Sequence, residues 1–317
     1  DLVIELPFAY VCQSADYFCK GAIDLLYHIG ITDLVFGSEC GDIDTFKEIA
    51  YAIKNHPNEY DQYVKNAMKQ GLRYPDACNQ ALSLLLNKSI QTPNDLLGLG
   101  YVKEVIENDY PITLHCIKRS NDYHDTTLTK IASATALRKA LKEKQDVHDY
   151  LLDMSYYDSL YHQNDFFDYL KYQIIIQSPT QLKKIHLVDE GIENLLKKVI
   201  FDTNSYEELV NSLTSKRYTK TRIQRMLLHI LMNNTKDEIK NCFPIDYIHV
   251  LKMNQKGQKY LKTIKKTCSY HIITNLSSYK HPALDLEIKS SKLLSLIDHQ
   301  MIKKEFQNIP VIELSKR

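Results

Sequence analysis

The sequence predicts an α/β protein in which a Rossmann-like domain with a parallel sheet, residues 1–145, is followed by a mostly α-helical domain, residues 146–317. In the first part, short apolar segments typical of buried strands alternate with amphipathic helices, which is the pattern of a parallel sheet with right-handed crossovers. In the second part, helical periodicity dominates. The charge changes at the same place, from 15 Lys and Arg against 19 Asp and Glu to 25 against 20. We therefore expect the two domains to have different roles.

The composition restricts the class of protein. Of the 317 residues, 44% are hydrophobic and 25% are charged, which excludes a disordered or fibrous protein. Glycine and proline number nine each, so the chain must consist mainly of long elements. No apolar run approaches the roughly 18 residues of a membrane span, and no signal segment opens the sequence, so we expect a soluble cytoplasmic protein without membrane contact. Seven scattered cysteines without a C-x-x-C pair fit neither a disulfide framework nor a zinc cluster, and we expect no metal site in the protein.

The first domain begins with Leu2–Leu6, an apolar run that ends at Pro7 and is typical of a buried parallel strand. A helix over Ala15–Tyr27 follows and ends before Gly30. The remaining elements are a strand over Asp33–Phe36, helices over Asp44–Lys54, Glu59–Gln70, Pro75–Leu86 and Pro93–Ile106, a strand over Ile112–Ile117 and a helix over Ala134–Leu141. Because a buried strand is a poor beginning for a chain, we expect the first strand of the Rossmann sheet to precede Asp1.

The second domain contains amphipathic helices and few strands. The helices cover Asp165–Ile176, Gly191–Ile200, Tyr206–Leu213 and Thr221–Met232, with short strands near Ile272 and Ile312. On a helical wheel, one face of the last helix carries Ile223, Met226, Leu227 and Ile230, and the opposite face carries Arg222, Arg225 and His229. This pattern predicts a basic outer face.

Two stretches of the second domain lack acidic residues. The first, Leu209–Lys236, contains Lys216, Arg217, Lys220, Arg222, Arg225 and Lys236. The second, Tyr247–Leu284, carries seven lysines interspersed with tyrosines. A solvated helix face would explain either stretch alone, whereas two of them in one domain favour a polyanion such as tRNA.

Side chains suited to nucleotide phosphates follow two strands and open one helix. In an open parallel sheet, ligands bind at the carboxyl ends of the strands, where Gly37-Ser38-Glu39 and Lys118-Arg119 lie. Ser133 and Thr135 stand at the start of a helix, and Arg138 follows one turn later, so this helix start can hold an anion. Taken alone, the same residues also fit solvated loops and a capped helix with an exposed arginine.

The run Ile131–Arg138 resembles the I-S-S-T-x-x-R signature of the HIGH-type nucleotidyltransferases, whose hydroxyls and arginine contact the ATP phosphates. Ser133, Thr135 and Arg138 match this signature, and Ala134 replaces its second serine. The chain as a whole resembles one branch of that superfamily, the bacterial tRNA(Met) cytidine acetate ligases. The matching stretches are, in order, Asp1–Pro7, Phe36–Glu39, Pro93-Asn94 with Leu97-Gly98, Tyr123–Asp125, Ile131–Arg138, Leu170–Tyr172, Glu190-Gly191, Lys216–Thr219 with Arg222–Arg225, and His281–Asp285.

The resemblance implies a nucleotidyltransferase-type α/β fold and a two-step reaction. ATP would activate acetate as acetyl-adenylate, with Mg²⁺ neutralising the triphosphate, and the acetyl group would pass to N4 of the wobble cytidine of elongator tRNA(Met). The family's H-x-G-H element, which holds ATP at the first strand-to-helix turn, is absent from the sequence. We therefore expect that the chain from Asp1 onward cannot form acetyl-adenylate.

The resemblance also indicates binding residues. Gly37, Asn94 and one of the pair Lys118 and Arg119 match nucleotide-contacting positions, in addition to the three signature residues above. In the basic domain, the predicted tRNA contacts are Arg217, Lys220, Arg222 and Arg225, with Tyr218 as a stacking surface. No catalytic residue and no oligomeric state can be assigned from the sequence.

Two other functions stay open at this point. One is an adenylyltransferase that acts on a small metabolite, with the basic domain serving oligomerisation. The other is a non-catalytic RNA-binding fragment. Binding of tRNA separates the ligase from the first alternative, and ATP-dependent acetyl transfer separates it from the second.

Overall fold

The computed structural model of the chain describes residues 1–119, 128, 132–150, 161–216 and 218–307. The elements up to residue 150 are β1 (Leu2–Ile4), α1 (Phe8–Val11), α2 (Ala15–His28), β2 (Asp33–Ser38), α3 (Ile43–Asn55), α4 (Pro57–Lys69), α5 (Tyr74–Leu86), α6 (Pro93–Glu107), β3 (Thr113–Lys118) and α7 (Ala134–Lys142). The later elements are α8 (Phe167–Ile176), α9 (Pro179–Leu182), α10 (Ile192–Val199), α11 (Tyr206–Leu213), α12 (Lys220–Leu231), α13 (Lys236–Asn241), β4 (Tyr247–Met253), α14 (Gln255–Ile264), β5 (His271–Ile273), α15 (Pro282–Leu294) and α16 (Met301–Gln307). The predicted helices are confirmed with small shifts at their ends, and the strand predicted near Ile312 lies outside the described residues.

The described residues form two compact units. The first, here called the α/β unit, comprises residues 32–161, and the second, the split unit, comprises residues 1–31 together with 162–317. These limits differ from the predicted division after residue 145, chiefly because the first 31 residues pack with the C-terminal part of the chain. The assignment of ATP binding to residues 1–145 and of tRNA binding to residues 146–317 stays a prediction.

In the α/β unit, β2 and β3 pair in parallel over all six residues of each strand. Helices α3 and α6, which lie between them in the sequence, pack against each other and against the strands. Gly98 permits the close approach of α6, because a Cβ at this position would lie 2.6 Å from a ring carbon of Phe36. The predicted parallel strands and helical crossover are confirmed.

One face of this strand pair is open in the described part of the chain. Alternate residues of a strand point to opposite faces of the sheet, and the helices cover only one of them. Val35 and Ile117, on the other face, are each more than half exposed. The sequence predicted a sheet covered on both faces, so this part of the prediction does not hold for the described residues.

The split unit contains a mixed three-stranded sheet in the order β1-β4-β5. β1 pairs antiparallel with β4, and β4 pairs in parallel with β5. The prediction of a buried parallel strand at Leu2–Leu6 is therefore wrong, because β1 is a short antiparallel edge strand on which Val3 is half exposed. Its apolar residues pack against Ile248 and Val250 of β4, a strand that the sequence analysis did not predict.

A helical core fills the C-terminal part of the split unit. Helices α8 to α12 surround it, and the four apolar side chains predicted to share one face of α12 are fully buried there. This confirms the predicted inner face of α12. The opposite face differs from the prediction, because His229 is completely buried and its Nε2 donates to the carbonyl oxygen of Cys12, 3.2 Å away.

The surroundings of His229 explain the difference. The turn between α1 and α2 covers the side of α12 on which His229 lies. The side that was predicted to be basic is therefore only partly exposed to solvent. Burial, with help from nearby cationic groups, lowers the pKa of His229 to about 4, so the ring is neutral at pH 7. With its proton on Nε2, Nδ1 accepts from the Nδ2 of Asn234 at 3.3 Å.

Candidate functional site

The turn that follows β2 is held by a buried carboxylate. Asp95, in the first turn of α6, is only 6% exposed. It accepts hydrogen bonds from the Ser38 hydroxyl at 2.6 Å, from the Glu39 and Cys40 amides at 2.8 and 3.2 Å, and from the Thr92 hydroxyl at 2.7 Å. Burial opposes ionisation, but these donors outweigh it and lower the pKa of Asp95. Asp95 thus fixes the loop at the carboxyl end of β2.

We expect Asp95→Asn to lower the free energy of unfolding at pH 7 by about 2–3 kcal/mol, because the amide cannot satisfy all of the buried donors. Since the pKa of Asp95 is lowered in the folded protein, its contribution is complete above the ordinary value near pH 4 and is lost as the pH falls through the folded pKa. The difference between wild type and variant should therefore shrink below about pH 4. Urea unfolding over this pH range measures it.

The matched control is Asp44→Asn, in the first turn of α3, where the side chain is exposed. It should stay within about 0.5 kcal/mol of wild type. Equal effects of the two substitutions would show that Asp95 acts only as a helix-end charge.

The amino end of α6 already carries an anionic group. The Glu39 carboxylate accepts from the backbone N–H of Asp95 at 3.1 Å and from the side-chain amide of Asn94 at 2.5 Å. Such a carboxylate is favourable at a helix N-terminus. One hydrogen of the Asn94 Nδ2 group is therefore engaged, and its second hydrogen and its carbonyl oxygen are left for a ligand.

Gly37 and Arg119 meet at the carboxyl ends of the two parallel strands. A Cβ on Gly37 would lie 3.7 Å from Cγ of Arg119, and the Arg119 amide donates to the carbonyl oxygen of Ser38 at 2.8 Å. The Nε of Arg119 is buried without a hydrogen-bond partner among the described residues. Lys118 instead is exposed, with its Cβ beside Gly41. A buried guanidinium donor without an acceptor fits an anionic ligand at this edge better than the exposed lysine does.

Helix α7 begins as the sequence predicted. Ser133 is its N-cap, and its hydroxyl oxygen accepts from the backbone N–H of Ala136 at 3.0 Å. Ser133 is buried, whereas Thr135 is half-buried and Arg138 is exposed, three residues apart on one side of the helix. Thr135 and Arg138 are thus the more accessible members of the predicted phosphate site. Ile131, the start of the signature, and Tyr123–Asp125 lie outside the described residues.

The predicted tRNA contacts differ in accessibility. Lys220 is exposed and lies 3.9 Å from the Glu207 carboxylate. Tyr218 is 8% exposed, its hydroxyl donates to the carbonyl oxygen of Asp189 at 2.8 Å, and the Arg222 guanidinium lies 4.4 Å from the centre of its ring. The ring therefore serves as a platform for Arg222 rather than as an open stacking surface. Arg217 lies outside the described residues.

Arg225 combines burial with an unsatisfied donor. Its side chain is half-buried, and Nε has no hydrogen-bond partner in the part of the chain that the structure describes. Burial lowers the pKa of Arg225, and the neighbouring Arg222 acts in the same direction. Neither guanidinium is paired with a carboxylate of the described residues, and two close groups of this kind favour an anion between them and the solvent.

The sequence analysis missed Asp95 and its role in the site. The available signal was its position two residues after Pro93, in the first turn of a predicted helix, where acidic residues cap or bind backbone amides. Among the described residues, no group of three or more His, Cys, Asp or Glu side chains could hold a metal ion. No helix in the described ranges is long and apolar enough to cross a membrane.

Comparison with known proteins places the chain in a family. The family described as HIGH Nucleotidyl Transferase matches residues 1–308. A tRNA(Met) cytidine acetate ligase of Geobacillus sp. is 36% identical over 99% of this chain and 84% of its own length, and that of Bacillus subtilis is 36% identical over 96% and 79%.

Solved structures agree with this result. The crystal structure of Thermotoga maritima TmcAL in its apo form I is 27% identical, with a TM-score of 0.84 over 98% of this chain and 84% of that one. The form II structure of the same protein, bound with alpha-thio ATP, is 25% identical, with a TM-score of 0.85 over the same shares. The predicted nucleotidyltransferase-type fold is thereby confirmed. This chain belongs to the HIGH nucleotidyl transferase family, in the branch of the tRNA(Met) cytidine acetate ligases.

Proposed function

We propose that this protein is an ATP-dependent acetate ligase that forms acetyl-adenylate and acetylates N4 of the wobble cytidine of elongator tRNA(Met). The observation that carries the proposal is the 36% identity to a tRNA(Met) cytidine acetate ligase over 99% of the chain. Similarity over nearly the whole length includes both the α/β unit and the basic part of the split unit. This favours the ligase over a metabolite adenylyltransferase, for which the basic part would have no substrate.

The proposed ATP site lies at the carboxyl ends of β2 and β3 and at the start of α7. ATP would supply the adenylyl group that activates acetate. Arg119 would donate to a phosphate through its unsatisfied guanidinium, and Gly37 leaves room beside it because it has no side chain. Thr135 and Arg138 would hold the phosphates at the α7 N-terminus, where backbone N–H groups favour an anion.

The other members of the predicted ATP site have narrower roles. Asn94 would contact the nucleotide through its carbonyl oxygen or its second amide hydrogen, since one amide hydrogen already donates to the Glu39 carboxylate. Ser133 would position the helix start as its cap. Lys118 would act at longer range as an exposed charge. Mg²⁺ would arrive with the ATP phosphates, because the described residues offer no cluster of metal ligands.

The proposed tRNA surface is the basic side of α12. Arg222 and Arg225 would bind phosphates, and Lys220 would add a positive charge at the start of the helix. Tyr218 would orient Arg222, whose guanidinium lies over its ring. Arg217, which lies outside the described residues, is proposed as a further phosphate contact on the family resemblance. The surface positions tRNA by its backbone and carries little base specificity.

The test is acetylation of elongator tRNA(Met) by the intact protein. Protein, ATP and isotope-labelled acetate are incubated with the transcript, and the nucleosides are separated by mass spectrometry after nuclease digestion. We expect N4-acetylcytidine that requires ATP, acetate and the wobble cytidine together. The matched control is the same transcript with uridine at the wobble position, which should gain no acetyl group.

The outcomes separate the alternatives. Binding of tRNA without any acetyl transfer would favour a non-catalytic RNA-binding protein. Pyrophosphate exchange into ATP without affinity for tRNA would favour an adenylyltransferase that acts on a small metabolite.

A further inference from the structure

A cavity of about 610 Å³ lies within the split unit. Its walls come from α2, from α13 and the residues after it, and from Tyr270 before β5. This volume lies in the range of sites that enclose a small molecule or part of a larger one. No residue of the cavity belongs to the ATP or tRNA contacts proposed above.

Aromatic rings form one wall of the cavity. Tyr17 is 47% exposed, and its ring centre lies 5.9 Å from that of Phe243. Phe243 in turn lies 5.1 Å from the buried ring of Tyr10. A partly exposed ring that contacts a second ring, which itself packs on a third, offers a surface on which a planar group can stack.

The rim of the cavity is cationic. Lys20, one turn after Tyr17 on α2, and Lys240 on α13 are exposed and have no ion-pair partner among the described residues. The third lysine, Lys236, is neutralised by Asp189 at 2.7 Å. Asp24 is the acidic residue that lines the cavity, and its carboxylate accepts a hydrogen bond from the Tyr270 hydroxyl at 2.7 Å. Two unpaired ammonium groups beside an aromatic platform match a phosphate next to a planar base.

The floor presents a donor and an acceptor. Gln13 is 7% exposed, and its Nε2 donates to the carbonyl oxygen of Ala9 at 3.0 Å, which leaves one amide hydrogen free. Its Oε1 lies 3.2 Å from Nε2 of His186. Burial lowers the pKa of His186 to about 4, so the ring is neutral at pH 7. Because an amide oxygen only accepts, the proton of His186 is on Nε2, and Nδ1 remains an acceptor.

We propose that this cavity, the Tyr17 pocket, binds one unstacked nucleotide of an RNA strand. The base would stack on Tyr17, its edge would face Gln13 and His186, and the adjoining phosphates would meet Lys20 and Lys240. Nucleobases present both donors and acceptors on their edges, which suits this floor. The inference rests on the proposed function in so far as tRNA is the natural strand.

The test compares pocket variants with matched variants outside the pocket. Affinity for elongator tRNA(Met) and for a short single-stranded oligoribonucleotide is measured by fluorescence anisotropy over a range of salt. Tyr17→Ala should weaken both about tenfold, while Tyr17→Phe, which keeps the ring, should bind nearly as wild type. Lys240→Ala should reduce the salt slope for the oligonucleotide by about 0.7.

The controls are Tyr169→Ala and Lys183→Ala, which remove an exposed tyrosine and an exposed lysine of the same unit. Both should leave affinity and salt slope unchanged. Thermal unfolding verifies that every variant is folded. Tyr17 is 47% exposed and is not part of the buried core, so its loss should leave the core intact.

Two results would overturn the proposal. One is unchanged RNA affinity for folded Tyr17→Ala. The other is tight binding of free cytidine or adenosine monophosphate that depends on Tyr17, together with unchanged RNA affinity, which would assign the pocket to a free nucleotide. If wild type fails to acetylate tRNA, the proposed function fails. The affinity of the Tyr17 variants for the oligoribonucleotide still tests whether the Tyr17 pocket binds RNA.

Discussion

Replacing Arg222 and Arg225 together by alanine is expected to weaken binding of elongator tRNA(Met) at least about 100-fold, because two charge-assisted phosphate contacts of roughly 1.5–3 kcal/mol each are lost. The structure supports this choice of residues. Arg222 is held over the Tyr218 ring, and Arg225 has a buried Nε without a partner among the described residues. A guanidinium that is already positioned loses little side-chain entropy when it binds a phosphate.

The salt dependence of binding gives a second measure of the same contacts. Each neutralised phosphate contributes about 0.7–0.9 to the slope of log affinity against log salt, so the double variant should flatten this slope by about 1.5. Replacement of both residues by lysine should be milder, because lysine keeps the charge but loses the planar fork. ATP affinity should stay at its wild-type value in all of these variants.

The matched control removes the same charge elsewhere in the split unit. Lys183 and Lys184, exposed residues after α9, are replaced together by alanine. If the arginine variant and this control bind tRNA with the same affinity and the same slope as wild type, the basic side of α12 is solvated surface. The metabolite adenylyltransferase would then become the better hypothesis.

Arg138→Ala is expected to weaken ATP binding about 10- to 100-fold while tRNA affinity changes little. Arg138 is exposed one turn after the capped start of α7, on the same side as Thr135. A charge-assisted bond to a phosphate at a helix N-terminus is worth roughly 1.5–3 kcal/mol. Equilibrium dialysis with labelled ATP and gel shifts with tRNA(Met) measure the two affinities.

Lys142→Ala is the control for this prediction. Lys142 is an exposed cation in the last turn of the same helix, away from the start that would bind phosphate. Its loss should leave ATP affinity unchanged, and Arg138→Lys should fall between wild type and Arg138→Ala. Unchanged ATP affinity and turnover in Arg138→Ala would falsify the assignment of α7 to the phosphates.

The local pattern of the sequence was sufficient for most helices and for two aspects of the site. The 3.6-residue period of Ile223, Met226 and Ile230 identifies the buried side of α12, because a helix repeats its faces over a few residues. In the same way, Ser133 before Ala134 marks the start of α7, since N-capping involves neighbouring residues only. The order of motifs along the chain was also sufficient to indicate the family that the comparisons confirm.

Contacts between distant parts of the chain decided the rest. Whether Leu2–Ile4 pairs in parallel or antiparallel depends on β4, which is far away in the sequence. A helical wheel divides a helix into one buried side and one exposed side. It cannot show that another element of the fold buries His229 and the Nε of Arg225 on the side that is predicted to be exposed. The same holds for Asp95, three of whose four donors come from the distant end of β2, and for the Tyr17 pocket, whose walls come from segments far apart in the chain. Periodicity along a chain reports which side of an element is apolar, whereas the partners of a buried polar group are set by the tertiary fold.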